Sequence, residues 1–361
     1  MLFLKSLPAN RLAYNKFLWP DQVGVIIEST TWDPRPECGG GLHGLIEGQG
    51  DTNLLCDDDD AVWYAFESVD ENGNPSDAEA IAIDYEKGKC HRAIIRAVGT
   101  LNEATTWLVQ AGCRRIPYAT IIADDSSGVY LGKDSATITG RDSAIVVGDC
   151  GQVITGNHSN VMTDHNAEVI ADHNATLNLG LSAYAIARTY AEITANIGSK
   201  IITSRRGEIA ARHNAVIIAG EGSHITATDH STAFAGGYSV VELGDYAHCI
   251  SDQESKATGH DNSTILTGRR GYATAGSRST AISGDYGKAT AGNNSIVIAG
   301  YWGTVSGGHN SVLVLGHSYT DTLDGTDCRE PRVAIVGKNG IKPNTPYRLD
   351  DEGNFVEVVP F

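Results

Sequence analysis

From Ile116 to Leu323 the chain divides, without insertion or deletion, into 26 octads, among them GKDSATIT, GRDSAIVV, RHNAVIIA and GNNSIVIA. A short period held over that length marks a stacked repeat architecture, in which each unit buries its apolar side only against its neighbours. The first three places of the octad are drawn from Gly, Asp, Asn, His and Arg, a turn composition in which Gly and Asn tolerate left-handed backbone. The next five alternate small, variable, aliphatic, variable, small, as in the stretch SIVIA at 295–299. This is the period-2 signature of a short strand with places 4, 6 and 8 turned inward.

Place 7 decides how many octads make one coil. In alternate octads it reads Ile122, Ile138, Ile154, Ile170, Ile186, Ile202, Ile218, Phe234, Ile250, Leu266, Ile282, Ile298, Val314, whereas the intervening octads carry Tyr130, Val146, Met162, Asn178 and then mainly Thr. The repeat is therefore sixteen residues, two strands and two turns. The expected fold is mainly β, a two-sided β-solenoid of about 13 coils, roughly 60 Å long at the ~4.8 Å strand spacing. Inward residues that are mostly Ser, Ala, Gly, Val and Ile leave a thin interior, which accounts for 41 Gly against 6 Phe and 2 Met. If places 4, 6 and 8 face in, place 7 faces out, and Ile138 through Ile298 form one apolar stripe. A soluble monomer seldom leaves such a patch in water. The stripe predicts a homodimer associated along the solenoid face, with a trimer as the less economical closure. The competing expectation is a local bend that turns place 7 inward and makes the column core.

Residues 1–115 lack the octad register and hold four of the five Trp (19, 32, 63, 107). Patterning predicts strands near Val23–Glu28, Val62–Ser68, Ala80–Asp84 and Ala93–Val98, then a helix over Asn102–Ala111 with Asn102 as its N-cap and Gly112 as its stop. The result is a small α+β domain able to protect the first coil's open edge. At the other end GTDCREP reads as a linker and 324–361 as short strands joined by Asn-Gly and Glu-Gly turns, the natural opposite cap.

Four stretches, WDPRPECGGGLHGLIEG, HRAIIRAVGTLNEAT, the octad array and VAIVGKNGIKPNTPYRL, together resemble a group of uncharacterised phage and bacterial proteins. In that group a small N-terminal domain with a CGGGLHGL-like motif precedes a long array of Gly-rich octads. The resemblance covers nearly the whole chain. It implies architecture and a phage or prophage origin, and no mechanism.

The most chemistry-like stretch is Cys38-Gly-Gly-Gly-Leu-His43. A thiol and an imidazole five residues apart around flexible glycines suit a nucleophile with its base or two metal ligands. No third and fourth ligand is recognisably spaced, so a Gly-rich turn with a structural His is the preferred reading, with no metal and no cofactor. By fold-level analogy alone with ADP-ribosyltransferase-like folds, Gly41, His43 and Tyr64 or Glu67 would line an N-terminal cleft. The acidic runs Asp57–Asp60 and Asp70–Asp77 fail the EF-hand spacing and read as solvated loops. Ten His in 116–323 do not recur in one column at sixteen-residue spacing, which excludes a metal ladder. Arg141, Arg205 and Arg269 share one edge with Arg206 and Arg270 beside them, a place to dock phosphates that Glu221 and Asp285 dilute.

A net charge of −17 without clustered Lys and Arg disfavours nucleic acid as a partner. The start lacks a leader-like apolar run and no stretch approaches a membrane span, so the expectation is a cytoplasmic protein, in a host cell or virion, with no membrane partner. Seven Cys without a CxxC pair fit reduced thiols. The sequence favours a non-enzymatic binding or scaffolding role over a catalytic one, because a filled solenoid leaves no substrate cavity while presenting long flat faces to an unspecified protein partner. Two alternatives stand beside it: an enzyme or toxin-like N-terminal domain carried on the rod, and an acidic anti-defence mimic of nucleic acid.

Overall fold

The computed structural model describes residues 1–361 apart from positions 15, 50–54, 57, 59, 115, 117–118, 321–326 and 359–361, and at 318–320 and 327–329 it describes the backbone alone. The chain is mainly β and separates into two compact units, Met1–Thr155 and Gly156–Phe361.

The first unit begins with a seven-stranded antiparallel sheet built from β1 (Leu2–Leu7), β2 (Ile26–Glu28), β3 (Leu42–Ile46), β4 (Val62–Ser68), β5 (Ala80–Ala82), β6 (Lys87–Cys90) and β7 (Arg92–Gly99), in the order β2-β7-β4-β1-β3-β6-β5. The pairings Phe3↔Phe66 and Lys5↔Tyr64 place alternate residues of β1 and β4 on one face. There Phe3 stacks on Phe66 at 4.9 Å, and Trp19 leans on Tyr64 and Phe66 at 5.1 Å each. The one helix of the described chain, α1 (Leu101–Gln110), buries Ala104, Thr105 and Leu108. Its N-cap is Thr100 rather than Asn102: Thr100 Oγ1 accepts from the Glu103 amide while the Glu103 carboxylate accepts from the Thr100 amide. That reciprocal pair satisfies two orphan donors at once, which an Asn cap two residues later would not. The Gly112 stop stands, with φ +95°.

The octads form a β-solenoid of about twelve turns, each turn contributing one strand to each of two parallel sheets. In the first unit Thr120–Ala123, Ala136–Thr139 and Gln152–Thr155 stack on one side, and Gly128–Leu131 with Ala144–Val147 on the other. In the second unit one sheet takes every other strand from Glu168–Ala171 to Val312–Thr320, and the other runs from Asn160–Thr163 to Thr304–Gly307. Partners are sixteen residues apart in register, as in Ile201↔Ile217 and Ile202↔Ile218. Places 4, 6 and 8 face inward and place 7 outward: Ile217 is fully buried and Ile218 is 46% exposed. The bend that would have turned the aliphatic column into core is absent.

The octad's consensus letters have separate causes. Place 2 carries Asp because its carboxylate accepts the place-2 amide of the next coil: Asp245 takes Asp261 N–H at 2.9 Å and Asp261 takes Ser277 N–H at 2.7 Å. Place 4 carries Ser because its hydroxyl accepts the place-4 amide one coil earlier, giving an internal ladder in which Ser279 accepts from Ser263 at 3.0 Å, Ser295 from Ser279 at 3.2 Å and Ser311 from Ser295 at 3.1 Å. These amides are buried, and unpaired each would cost about 1–3 kcal/mol.

Glycine in the octad serves clearance at place 1, while the left-handed turn position carries Asn or Gly in several octads, as the turn composition suggests, at Asn166, Asn214, Asn262, Gly198 and Gly222 among others. The left-handed residue is place 3 of the octads from 124 to 315, and it also includes Tyr190, Arg206, Tyr238, Tyr286 and Trp302. Gly stands at place 1, where a Cβ at Gly220 would overlap the Ser204 carbonyl one coil earlier.

The far end differs from expectation in two respects. The last octad, 316–323, does not turn: Val312–Thr320 runs on as a single strand and pairs antiparallel with Asp327–Ile335. The segment read as a linker therefore enters that strand at Asp327. Tyr347 pairs antiparallel with Val305, and Tyr347–Leu349 pairs with Phe355–Glu357. Both sheets thus end on antiparallel strands from the C-terminal segment, which occupy open edge positions that would otherwise be free to template other chains.

Candidate functional site

Two features stand apart from ordinary packing: a cleft in the first unit and one sheet face in the second.

The cleft, of about 530 Å³, is lined among others by Lys5, Phe17, Trp19, Cys38, Gly41 and His43. Its wall is the Gly-rich run entering β3. A Cβ on Gly40 would overlap the Thr31 carbonyl, and Gly41 takes φ +135°, so the motif's glycines serve a close backbone approach and a left-handed bend. The bend brings the Gly41 carbonyl 3.1 Å from His43 Nδ1. A carbonyl only accepts, so Nδ1 carries the hydrogen, and Nε2 is left as a buried acceptor without a partner. Burial first, and then the charges of Lys5, Lys87 and Lys89, push the His43 pKa down to about 4, so the ring is neutral at pH 7.

Cations dominate this part of the molecule. Lys5 lies 5.6 Å from the Trp19 ring, and burial together with the Lys87 ammonium pushes its pKa down to about 8. Lys87 donates to Cys38 Sγ at 3.4 Å. Lys89, pairing with His43 across β3 and β6, donates to the Glu37 carbonyl at 2.8 Å and sits 5.9 Å from the Trp32 ring. Among the described residues no carboxylate lines the cleft.

Of the four residues singled out from sequence, Cys38 and His43 share the cleft wall and Tyr64 and Glu67 do not line it. Tyr64 is fully buried in the core beneath Trp19. Glu67 pairs with Arg96 at 2.6 Å. The lysines escaped sequence reasoning because Lys5 and the pair Lys87 and Lys89 lie on two segments some eighty residues apart, β1 and β6, and only the β1-β3-β6 order gathers them. Among the described residues no group of three or more His, Cys, Asp or Glu is placed to hold a metal ion. The Asp70 loop is a turn in which the Asp70 carboxylate accepts the amides of Asn72 and Asn74 at 2.9 Å, while the Asp57–Asp60 run lies partly outside the described residues. The arginine edge is largely neutralised: Arg141 pairs with Asp125, Arg205 with Glu221 and Arg270 with Glu254, and Arg206 donates to Tyr190 Oη.

The second feature is the sheet face carrying the aliphatic column. Of the stripe, Ile138, Ile154, Ile170, Ile218, Phe234 and Ile250 are 41–49% exposed, while Ile186, Ile202, Leu266, Ile282 and Ile298 are partly shielded by their neighbours. From Val216 to Val314 the outward residues of this sheet, at places 5 and 7, are Val, Ile, Thr, Phe, His and Leu, with no Asp, Glu, Lys or Arg among them. The opposite sheet carries Glu192, Glu208, Glu242, Lys256 and Lys288 outward. The two faces are chemically different although their interiors are alike.

No helix of the described chain is long and apolar enough to cross a membrane. No protein-family model, curated protein or solved structure matches the chain.

Proposed function

We propose that the protein is a non-enzymatic scaffold that self-associates face to face through the aliphatic sheet of its solenoid. The observation that carries this reading is the missing charge between Val216 and Val314 on one face only. A solvent-facing sheet ordinarily spreads charged residues over about a quarter to a third of its surface, as the opposite sheet does. The seven charge-free coils from Val216 to Val314 span six steps of ~4.8 Å, about 29 Å, and a face about 11 Å wide then covers roughly 320 Å² per copy. Two copies would bury about 640 Å² over those coils, and contact carried on along the aliphatic column to Ile170, past the outward Glu168 and Lys200, brings the total close to 1,000 Å², the threshold at which specific interfaces begin. A second copy is the occupant that matches the patch in length and width, and face-to-face pairing closes the symmetry. A shallow depression of about 340 Å³ beside Ile218, Phe234 and Ile250 gives the face relief for interdigitation.

The solenoid interior adds no competing site, since places 4, 6 and 8 fill it. A repeat array with regular flat faces suits presentation of a binding surface to another macromolecule. The phage or prophage origin implied by the octad array and the CGGGLHG motif belongs to the same proposal.

Light scattering on the intact chain tests the reading. Wild-type protein should run at twice the mass of the 38.2 kDa chain, and the double substitution Ile202→Lys, Ile218→Lys should return it to the single-chain mass with an unchanged circular dichroism spectrum. A wild-type protein that stays single at micromolar concentration overturns the proposal.

A further inference from the structure

We propose that a second cleft, beside Trp302 in the second unit, is a binding site for a neutral pyranose unit of a glycan, with the sugar's C–H face on the indole and its hydroxyls held by Arg348 and Asp351. These residues lie off the aliphatic column, and self-association does not enter this inference.

The first observation is an asymmetry between the two corner edges of the second unit. Over the octads from 156 to 315, place 3 puts ten residues on each edge; one edge has Tyr190, Tyr238, Tyr286 and Trp302 among its ten, the other Tyr246 alone. The place is left-handed, which penalises a bulky side chain and spares Asn or Gly. Trp302 holds it at φ +57° while 58% exposed, so burial returns little for that strain. The rings also differ in what covers them. Tyr246 stacks on His230 at 5.1 Å, and Tyr190 and Tyr286 each lie 5.5 Å from a guanidinium, that of Arg206 and Arg269 respectively. Trp302 meets Tyr301 edge-on at 5.3 Å and has no stacked ring or cation over it among the described residues.

The second observation is what shares the cleft with that ring. Trp302 and Tyr301 line a cavity of about 250 Å³ together with His317, Arg348, Asp350 and Asp351. The Asp350 carboxylate holds its own turn, accepting the Asn354 and Glu352 amides at 2.7 and 3.1 Å. Arg348 and Asp351 are exposed and have no ion-pair partner among the described residues, each other included. Opposite charges that line one cavity without meeting suit an occupant that answers both. A carboxylate or phosphate would face two aspartates, an ammonium would face Arg348, and a hydrocarbon would strip water from all three charges without replacing it. Hydroxyls accept from a guanidinium and donate to a carboxylate, and the C–H face of a pyranose gives the indole an apolar surface to cover it. The cavity is smaller than a drug-sized site and takes a single ring.

Saturation-transfer difference NMR on the intact protein tests the site with four neutral probes, the methyl glycosides of glucose, galactose, mannose and N-acetylglucosamine, beside sodium glucuronate and a short thymidine oligonucleotide. The expected result is binding of at least one neutral glycoside, more tightly than glucuronate. Trp302→Asn, which gives place 3 the residue it carries at Asn294 and Asn310, should fold as the wild type does and bind about tenfold or more weakly. Arg348→Ala and Asp351→Ala should each lose about tenfold. Tyr246→Asn, on the other edge, should bind as wild type. So should the Ile202→Lys, Ile218→Lys variant at either mass, which keeps this test separate from that of self-association. Absence of binding by all four neutral glycosides, or binding that Trp302→Asn leaves unchanged, overturns the site. Preference for glucuronate or the oligonucleotide, lost in Trp302→Asn, overturns the assignment to a neutral sugar.

Discussion

Adjacent residues Ile217 and Ile218 give a direct measure of how the repeat is held together. Their side chains are identical and one bond step apart along the strand, yet Ile217 is fully buried and Ile218 is 46% exposed. Ile217 stacks between Ile201 and Ala233 in a sheet whose strand spacing is pinned by backbone ladders, so the hole left by Ile217→Ala cannot close by collapse. Such a site belongs in the upper part of the usual large-to-small range, about 3–4 kcal/mol. Ile218→Ala removes carbons that already face water on about half their surface and should cost about 1 kcal/mol in the isolated chain. If a second copy covers the face, Ile218→Ala carries an additional loss that shrinks on dilution, whereas the Ile217→Ala loss does not depend on concentration. Urea unfolding followed by far-ultraviolet circular dichroism at two protein concentrations separates the terms. Because repeat arrays need not unfold in one step, the comparison is between midpoints of the same transition. Equal losses at the two positions, at either concentration, would refute the inward and outward assignment and with it the exposed stripe.

Ser279→Ala leaves the buried Ser263 amide without its acceptor and should lower stability by about 1–3 kcal/mol, whereas the same change at an exposed serine such as Ser204 should register almost nothing; thermal melts of the two variants give the comparison. His43 binds its proton less tightly folded, at about 4, than at its ordinary 6.5, so the unfolded chain holds more protons across that interval. Stability therefore falls as pH drops from 6.5 toward 4 and is indifferent to this group above 6.5, and His43→Gln should flatten that part of the stability-against-pH curve. Deleting 324–361 uncovers the edges now paired with Asp327–Ile335 and Tyr347–Leu349, and should yield aggregates by size-exclusion chromatography, while a discrete soluble truncation would show that these strands are not the cap.

The solenoid was legible because its constraint is periodic. Every sixteenth residue repeats the same environment, so the alternation at places 4 to 8 and the split of place 7 into two columns are visible without coordinates. The letters of the turn were legible as turn residues but not as particular contacts, since the role of Asp261 lies in an amide sixteen residues onward and that of Gly220 in a carbonyl sixteen residues back. The first unit was harder. Strands β4 and β7 alternate or carry apolar runs and could be found, whereas β6 (Lys87–Cys90) is polar and glycine-containing, and β1 (Leu2–Leu7) looks like the start of any chain. The cleft depends on those two missed strands, which is why Cys38 and His43 could be picked out while Lys5, Lys87 and Lys89 could not. Tyr64 and Glu67 were drawn into the sequence-derived cleft by analogy and proved to belong to the core and to an ion pair with Arg96.

The pairing of every strand with the strand two before it sets the arithmetic by which such a chain can change length. Within Gly156–Phe361, losing or gaining sixteen residues at a turn keeps the register, with inward place above inward place and the aliphatic column above itself, so the array can be shortened or lengthened by whole coils as cassettes. An eight-residue deletion leaves every inward residue inward, although at place 4 it sets glycines such as Gly271 against serines such as Ser263, and it exchanges the two outer faces for all coils downstream: the column of Ile218 and Phe234 would continue as Thr258 and Thr274. Folding would tolerate the event, but the charge-free face would be broken at the join. Such half-coil variants separate two properties that the intact chain keeps together, the capacity to stack and the identity of the surface that stacking displays.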